Sequence, residues 1–544
     1  MKTRLCFRPA AVCLLLALAL LLAGALPCLA AGSFRLVGIG PGDLDLMTPR
    51  QIKAIQEADI VFCRDKTKAR LASKIDFATK QTIDDYGLAF WFYGQDCAQV
   101  PAHKKTRWGM TCEEFQQKRA EFLSLVRQAV AQGKKVVMTT DGDPTIYGPC
   151  IWTVLELGDI DAHVIPGISS FNAANAALKA SLGEVILTAP LVDSADRDTI
   201  ESLAGHERAV MVIFMPRDFE KLLPRLAKVY APDTPLAVVS RAGQAGKEKV
   251  ILGSVGNIGP KLAKTDPRMS LVYVGKTRSK PQYKPAKSKA PGSGKFYLVG
   301  MGPGDPDLAS LRALEVIKKA DLIFANARIQ KRYASQLAGK KVLTGYNRLF
   351  PFYGQKCGQP SKFSKTIADM SCEDYHRKQA EFAALTRRAV AQGKTVAMLD
   401  SGDPLVYGPC AWTITELSDI NTEVVPGMSC FNAANAALGK SLTGGSDTHS
   451  VLLASGWSVA QMAPHRATMA LFTMRNKLEK FVQILLKSYG PQTPVAIVFH
   501  AGFSQKEKVL QSTLGSVLKE VQGKKLPFYH MLYVGDFLTN RNPY

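Results

Sequence analysis

The feature that most constrains this chain is that it is written twice. Phe34-Arg-Leu-Val-Gly-Ile-Gly-Pro-Gly-Asp43 returns as Phe296-Tyr-Leu-Val-Gly-Met-Gly-Pro-Gly-Asp305. Gly142-Asp-Pro-Thr-Ile-Tyr-Gly-Pro-Cys150 returns as Gly402-Asp-Pro-Leu-Val-Tyr-Gly-Pro-Cys410. Pro166-Gly-Ile-Ser-Ser-Phe-Asn-Ala-Ala-Asn-Ala-Ala-Leu178 returns as Pro426-Gly-Met-Ser-Cys-Phe-Asn-Ala-Ala-Asn-Ala-Ala-Leu438. The offset of 259 to 262 residues is too long for a solenoid repeat, so the repeated unit is a whole domain. A chain of 544 residues has room for two such cores.

The two copies read as residues 34–275 and 296–537, joined by a linker over 276–295 that is rich in Lys, Pro, Ser and Gly. Such a segment buries too little apolar surface to fold. At the N-terminus, Lys2, Arg4 and Arg8 precede an apolar run from Ala10 to Leu26, and small residues follow at Ala30 and Ala31. That order predicts a secretory signal over 1–31. An uncleaved anchor and lipidation at Cys28 are the competing readings. The expected product is an exported chain, periplasmic in a Gram-negative cell, with no stable membrane anchor after cleavage. With 47% hydrophobic and 21% charged residues, the composition is neither that of a disordered chain nor of a multi-span membrane protein. The net charge of +23 suits anionic partners or merely a soluble basic surface.

Apolar runs at Phe34–Ile39, Ile60–Cys63, Val136–Thr140, Val210–Met215 and Leu236–Ser240 read as buried strands. Thr48-Pro-Arg-Gln51 places an N-cap, a first-turn proline and an N3 glutamine at a helix start. Thr111-Cys-Glu-Glu114 and Ser371-Cys-Glu-Asp374 open a second helix in each copy. Strands alternating with helices imply an α/β fold with mainly parallel sheets.

The first glycine block lies between a strand and a helix, where backbone can approach a ligand closely. A dinucleotide fingerprint needs a third glycine where Asp43 and Asp305 stand, and no Walker lysine follows. A tight turn alone is the plainer reading of this block. Gly-Asp-Pro in the second block places a carboxylate at a strand's C-terminal edge, where ligands commonly bind. Asn172, Asn175, Asn432 and Asn435 sit among alanines and read as structural.

The ordered set of motifs, present twice, resembles the tetrapyrrole methylase family of S-adenosylmethionine-dependent enzymes. The resemblance implies two tandem domains, each of two α/β lobes with a ligand cleft between them. It also implies S-adenosylmethionine as methyl donor and an anionic tetrapyrrole-like macrocycle as substrate, with no nucleic-acid partner. Carried over by motif, the donor contacts in the first copy are Pro41, Gly142, Asp143, Ile146, Ser169, Ser170, Met215 and Gly243. In the second they are Pro303, Gly402, Asp403, Val406, Ser429, Cys430, Met474 and Gly502. Asp43 and Asp305 are expected to face the macrocycle as the candidate catalytic groups. Family members resemble dimers, so the copies are expected to pair within the chain as a pseudo-dimer. The alternative is an exported protein that reuses the fold to bind a tetrapyrrole or another anion without methylating it.

Two departures stand out. Where uroporphyrinogen-type members carry an aspartate after the second strand, this chain has Arg64 and Asn326. The segment Phe90 to Thr111 has no family equivalent and reads as a lid or a peripheral packing element. In an oxidising compartment its recurring cysteines predict Cys97–Cys112 and Cys357–Cys372 disulfides. No CxxC pair or histidine ligand spacing occurs, so no metal site is expected.

Overall fold

The computed structural model describes residues 31–84, 86–190, 197–206, 209–276, 294–359, 366–367, 369–446, 448–456, 458–472, 477–524 and 526–540. Nearly all of the export signal, most of the linker and Met474 therefore lie outside the described residues.

The N-terminal lobe of the first copy is a five-stranded parallel sheet. Its strands run in the order Gln81–Ile83, Ile60–Phe62, Lys135–Thr140, Ser33–Gly38 and Ala162–Ile165. The second copy repeats it with Val342–Leu343, Leu322–Phe324, Thr395–Asp400, Lys295–Gly300 and Thr422–Val425. Consecutive residues Leu36 and Val37 are both buried because helices cover both faces, which is why these strands read as continuous apolar runs. The helix Pro49–Gln56 begins at the expected capping box. The caps at Thr111 and Ser371 likewise start the twenty-residue helices Cys112–Ala131 and Cys372–Ala391.

The C-terminal lobes correct the expectation of mainly parallel sheets. Their strands form one ten-stranded sheet that runs through both copies. From one edge it contains Lys249–Ser254, Pro235–Ser240, Ser270–Val274, Ala209–Phe214 and Glu184–Thr188. It continues with Val451–Ala454, Thr468–Leu471, His530–Val534, Pro494–Phe499 and Lys508–Thr513. Only Glu184–Thr188 with Ala209–Phe214, and their twins, pair in parallel. The loop from Arg241 to Glu248 is too short for a crossover, so Pro235–Ser240 and Lys249–Ser254 pair antiparallel.

The seam is the antiparallel pairing of Glu184–Thr188 with Val451–Ala454, which hides an edge strand of each copy. The two apolar layers beside the sheet each draw residues from both copies. Reciprocal main-chain bonds reinforce the junction: Leu182 N–H donates to Leu405 O at 3.3 Å and Leu442 N–H to Thr145 O at 3.0 Å. The pairing expected of two family domains is thus built into one chain. Among the described residues, no helix is long and apolar enough to cross a membrane.

In the first copy the segment before the long helix packs around its own small core of Phe92, Cys97, Val100, Cys112 and Phe115, whereas in the second Phe352, Cys372 and Tyr375 join the main core of the lobe. Cys97 is bonded to Cys112 and Cys357 to Cys372, with Cα separations of 5.6 and 5.7 Å. The buried Arg119 donates to the carbonyls of Ala89 and Trp91, fixing the segment to the helix.

Candidate functional site

Four loops from distant parts of each copy meet at the strand ends. Gly142 N–H donates to Gly40 O at 2.9 Å, joining the first and second motifs. A side chain at Gly167 would place its Cβ 2.0 Å from Gly142 O, so the Pro-Gly motif must stay bare to pack there. Gln51 ties the same corner, donating to Gly38 O and Pro166 O at 2.6 and 2.7 Å. The fourth loop crosses from the C-terminal lobe. Gly42 lies so close to Gly243 that a Cβ would fall 2.2 Å from its carbonyl oxygen, and Gly304 approaches Gly502 the same way.

Asp43 and Asp305 are engaged in this closure. Asp43 N–H donates to Gly243 O at 2.9 Å, while its carboxylate accepts from Ala245 N–H at 2.7 Å. Asp305 accepts from Ser504 N–H and Oγ at 2.9 and 2.6 Å and from Arg50 at 3.0 Å. Burial alone would raise the Asp305 carboxyl, but the Ser504 hydrogen bonds and Arg50 hold it below the usual carboxylate range. Lys247-Glu-Lys249 and its twin Lys506-Glu-Lys508 follow these loops and secure them. Glu248 accepts from Gly243 N–H at 2.8 Å and Glu507 from Gly502 N–H at 2.7 Å, fixing the left-handed glycines.

The Gly-Asp-Pro carboxylates point into the junction between the copies. Asp143 is buried; it accepts from Thr145 N–H and Oγ at 2.9 and 2.6 Å and from Asn432 of the other copy at 2.6 Å. Asp403 accepts from Leu405 and Val406 N–H at 2.9 and 3.2 Å and faces Asn172. Burial pushes Asp143 up to about 6 and Asp403 up to about 7. Ile146 and Val406 are likewise buried in the shared core. Ser169 and Ser429 spend their hydroxyls as helix caps, while Ser170 and Cys430 are half-buried. Asn175 and Asn435 accept from Tyr273 and Tyr533 at 2.9 and 2.8 Å, a structural role.

What the loops present to a ligand is mainly backbone. A Cβ at Gly142 would meet nothing within 4 Å, so that turn borders open space, with half-buried Pro41 on a neighbouring loop. Met215 directly follows the strand Ala209–Phe214 with φ 42° and is 39% exposed, at the same end of the sheet as Gly243. Tyr147, Tyr407, Arg241 and His500 also hold positive φ values between 50° and 57°. Bulky residues in that region cost about 1–3 kcal/mol each, and such strain concentrates at ligand loops.

Residues that the sequence reading passed over complete the arrangement. Arg50 of the first copy bonds Asp305 and Asp307 of the second, and Arg312 answers with Asp45. His206 and His465, equivalent positions in the two copies, meet at 2.7 Å between their Nε2 atoms. In both cases the available signal was recurrence at the repeat offset. Cys357, Cys372 and His376 also come within ligand distance of one another, but both sulfurs are committed to the disulfide.

A doubled α/β fold whose glycine loops converge between two lobes defines a class of paired-lobe, cleft-binding proteins. Residues 33–259 and 295–518 both match the family model described as Tetrapyrrole (Corrin/Porphyrin) Methylases, and the chain belongs to that family. A cobalt-precorrin-4 C(11)-methyltransferase of Methanocaldococcus jannaschii is 30% identical over 257 residues, covering 45% of this chain and 88% of the relative. A precorrin-4 C(11)-methyltransferase of Pseudomonas aeruginosa is 29% identical over 254 residues, covering 45% and 90%. A solved cobalt-precorrin-4 methyltransferase matches 45% of this chain and 95% of its own at 24% identity, with a TM-score of 0.36.

Proposed function

We propose that this chain is an S-adenosylmethionine-dependent C-methyltransferase acting on a tetrapyrrole of the corrin or porphyrin-precursor type. The observation that carries the reading is the convergence, in both copies, of the glycine block, the Gly-Asp-Pro turn, the Pro-Gly turn and the Gly243 or Gly502 loop. The open space at Gly142 fits a ligand held by main chain.

In the first copy, main chain at Pro41, Gly142 and Gly243, with Ser170 and Met215, would hold the donor; Pro303, Gly402, Cys430 and Gly502 are their counterparts. The chemistry supplied when the donor is bound is an electrophilic methyl group, transferred in line to an electron-rich ring carbon. Alignment of two reactants is worth roughly 7–11 kcal/mol, so these loops need no strong base to act. Asp143 and Asp403 shape the turn whose backbone faces the donor, since their carboxylates are used between the copies. Asp43 and Asp305 hold the two lobes against each other and so position the cleft.

The test is incubation of the full chain with methyl-labelled donor and a panel of uroporphyrinogen and corrinoid-precursor substrates. Label on a ring carbon is the expected result; donor or macrocycle binding without any transfer would leave only a binding protein. Export by the segment 1–31 is part of the same reading, and it requires donor outside the cytosol. Cell fractionation of the full-length chain tests it, and recovery in the cytosol with residues 1–31 intact would reject it.

A further inference from the structure

The two clefts have diverged at their mouths. In the second copy, three arginines of the N-terminal lobe meet aromatic rings of the C-terminal lobe. Arg328 donates to Tyr529 Oη at 2.7 Å and lies 5.6 Å from that ring's centroid. Arg332 lies 4.9 Å from the Phe503 ring and Arg348 5.9 Å from the Phe528 ring. Phe503 directly follows Gly502, the loop glycine that packs against Gly304. The cluster therefore sits beside the cleft, tying one lobe to the other. Phe528 is 49% exposed and Tyr529 36%.

The first copy supplies an internal control. Lys66, Arg70 and Leu88 occupy the three arginine positions, and Gln244, Arg268 and Met269 the three aromatic ones. Its guanidiniums are also neutralised: Arg64 and Arg70 both pair with Asp141, at 3.3 and 3.0 Å. The second copy has Ser401 at the place of Asp141, and its three arginines make no ion pair within 4 Å among the described residues. The first copy thus pairs its two arginines with a carboxylate, while the second leaves its three facing aromatic rings.

We propose that the polycarboxylate macrocycle is bound at this arginine–aromatic mouth of the second copy and not at the corresponding face of the first. The inference rests on the tetrapyrrole reading and adds to it which cleft takes the ring. A macrocycle of pyrrole rings with carboxylate arms matches the mouth chemically. Its face stacks on aromatic side chains, and its carboxylates pair with guanidinium groups, which are weakly hydrated and planar. The first copy, whether or not it holds donor, lacks the stacking surface.

The experiment is a fluorescence titration of the full oxidised chain with uroporphyrin, an octacarboxylate porphyrin. The expected stoichiometry is one per chain. Phe528→Ala and Tyr529→Ala should each weaken binding about tenfold, the factor that corresponds to losing one good contact. Phe528 is exposed, so that variant should fold normally, and its melting temperature checks this. Arg268→Ala and Met269→Ala in the first copy should leave the affinity unchanged. Two equivalents per chain, equal losses from both sets of variants, or no porphyrin binding at all would overturn the proposal. A parallel titration with S-adenosylmethionine separates the failures. Donor binding without porphyrin binding rejects the mouth alone, whereas loss of both rejects the methyltransferase reading as well.

Discussion

Asp143 and Asn432, 289 positions apart, share a buried hydrogen bond of 2.6 Å across the junction of the two copies. The motif carboxylate of one copy is therefore completed by the motif asparagine of the other. Removing the amide with Asn432→Leu should destabilise the chain by about 1–3 kcal/mol, because it strands a buried acceptor. Urea unfolding measures the loss, and an unchanged midpoint would show that the junction does not depend on this pair.

The junction also explains which parts of the molecule could be read from sequence. The strands, the three capping boxes at Thr48, Thr111 and Ser371 and both disulfides were legible because each has a local pattern: an apolar run, a Thr or Ser three residues before a side-chain acceptor, a repeated cysteine pair. The partners of Asp143, Arg50 and His206 were not, since each lies in the other copy and no local spacing reports it. The antiparallel character of the large sheet was hidden for the same reason: strand direction depends on pairing, not on composition. Ile146 and Val406 were legible as motif members, but their burial in the shared core was not.

Crossed ion pairs should bind the copies cooperatively. Arg312 contacts Asp45 at 2.7 Å and approaches Asp43 at 3.8 Å. Arg312→Glu places like charges together and should lower the melting temperature, and adding Asp45→Arg should restore much of it. A double-mutant cycle checks this. Additive losses with no rescue would show that the pair does not couple the copies.

Stability should depend on pH in two opposed ways. Asp143 and Asp400 are raised to about 6 and Asp403 to about 7, from an ordinary value of 3.8. These groups take up protons on folding, so their effect is a loss of stability as pH rises from 3.8 towards the folded values. Asp403→Asn should flatten that slope in denaturant titrations between about pH 4 and 7. His206 and His465 are lowered by burial from 6.5, so folding sheds protons there and stability falls as pH drops below 6.5. His206→Gln should remove part of the acid-side loss; an unchanged pH profile in both variants would refute the assignment.

The disulfides Cys97–Cys112 and Cys357–Cys372 each span 15 residues. A loop of that size is worth about 3 kcal/mol per bridge. Melting with and without reductant should show a lower transition in the reduced chain, and Cys97→Ser with Cys112→Ser should reproduce half of the shift. Identical melting curves would mean that packing around Phe92 and Phe115 holds the segment unaided.

The proposed methyl-donor site at the convergent loops stands or falls on whether it binds donor. Isothermal titration of the full chain with S-adenosylmethionine tests it most directly. Saturable binding is expected, lost stepwise when Gly142→Ala and then Gly402→Ala place a side chain at the two turns, with a melting-temperature check on each variant because both positions hold a left-handed φ, 70° and 74°. Absence of binding to the wild-type chain, or binding untouched by both substitutions, would contradict it.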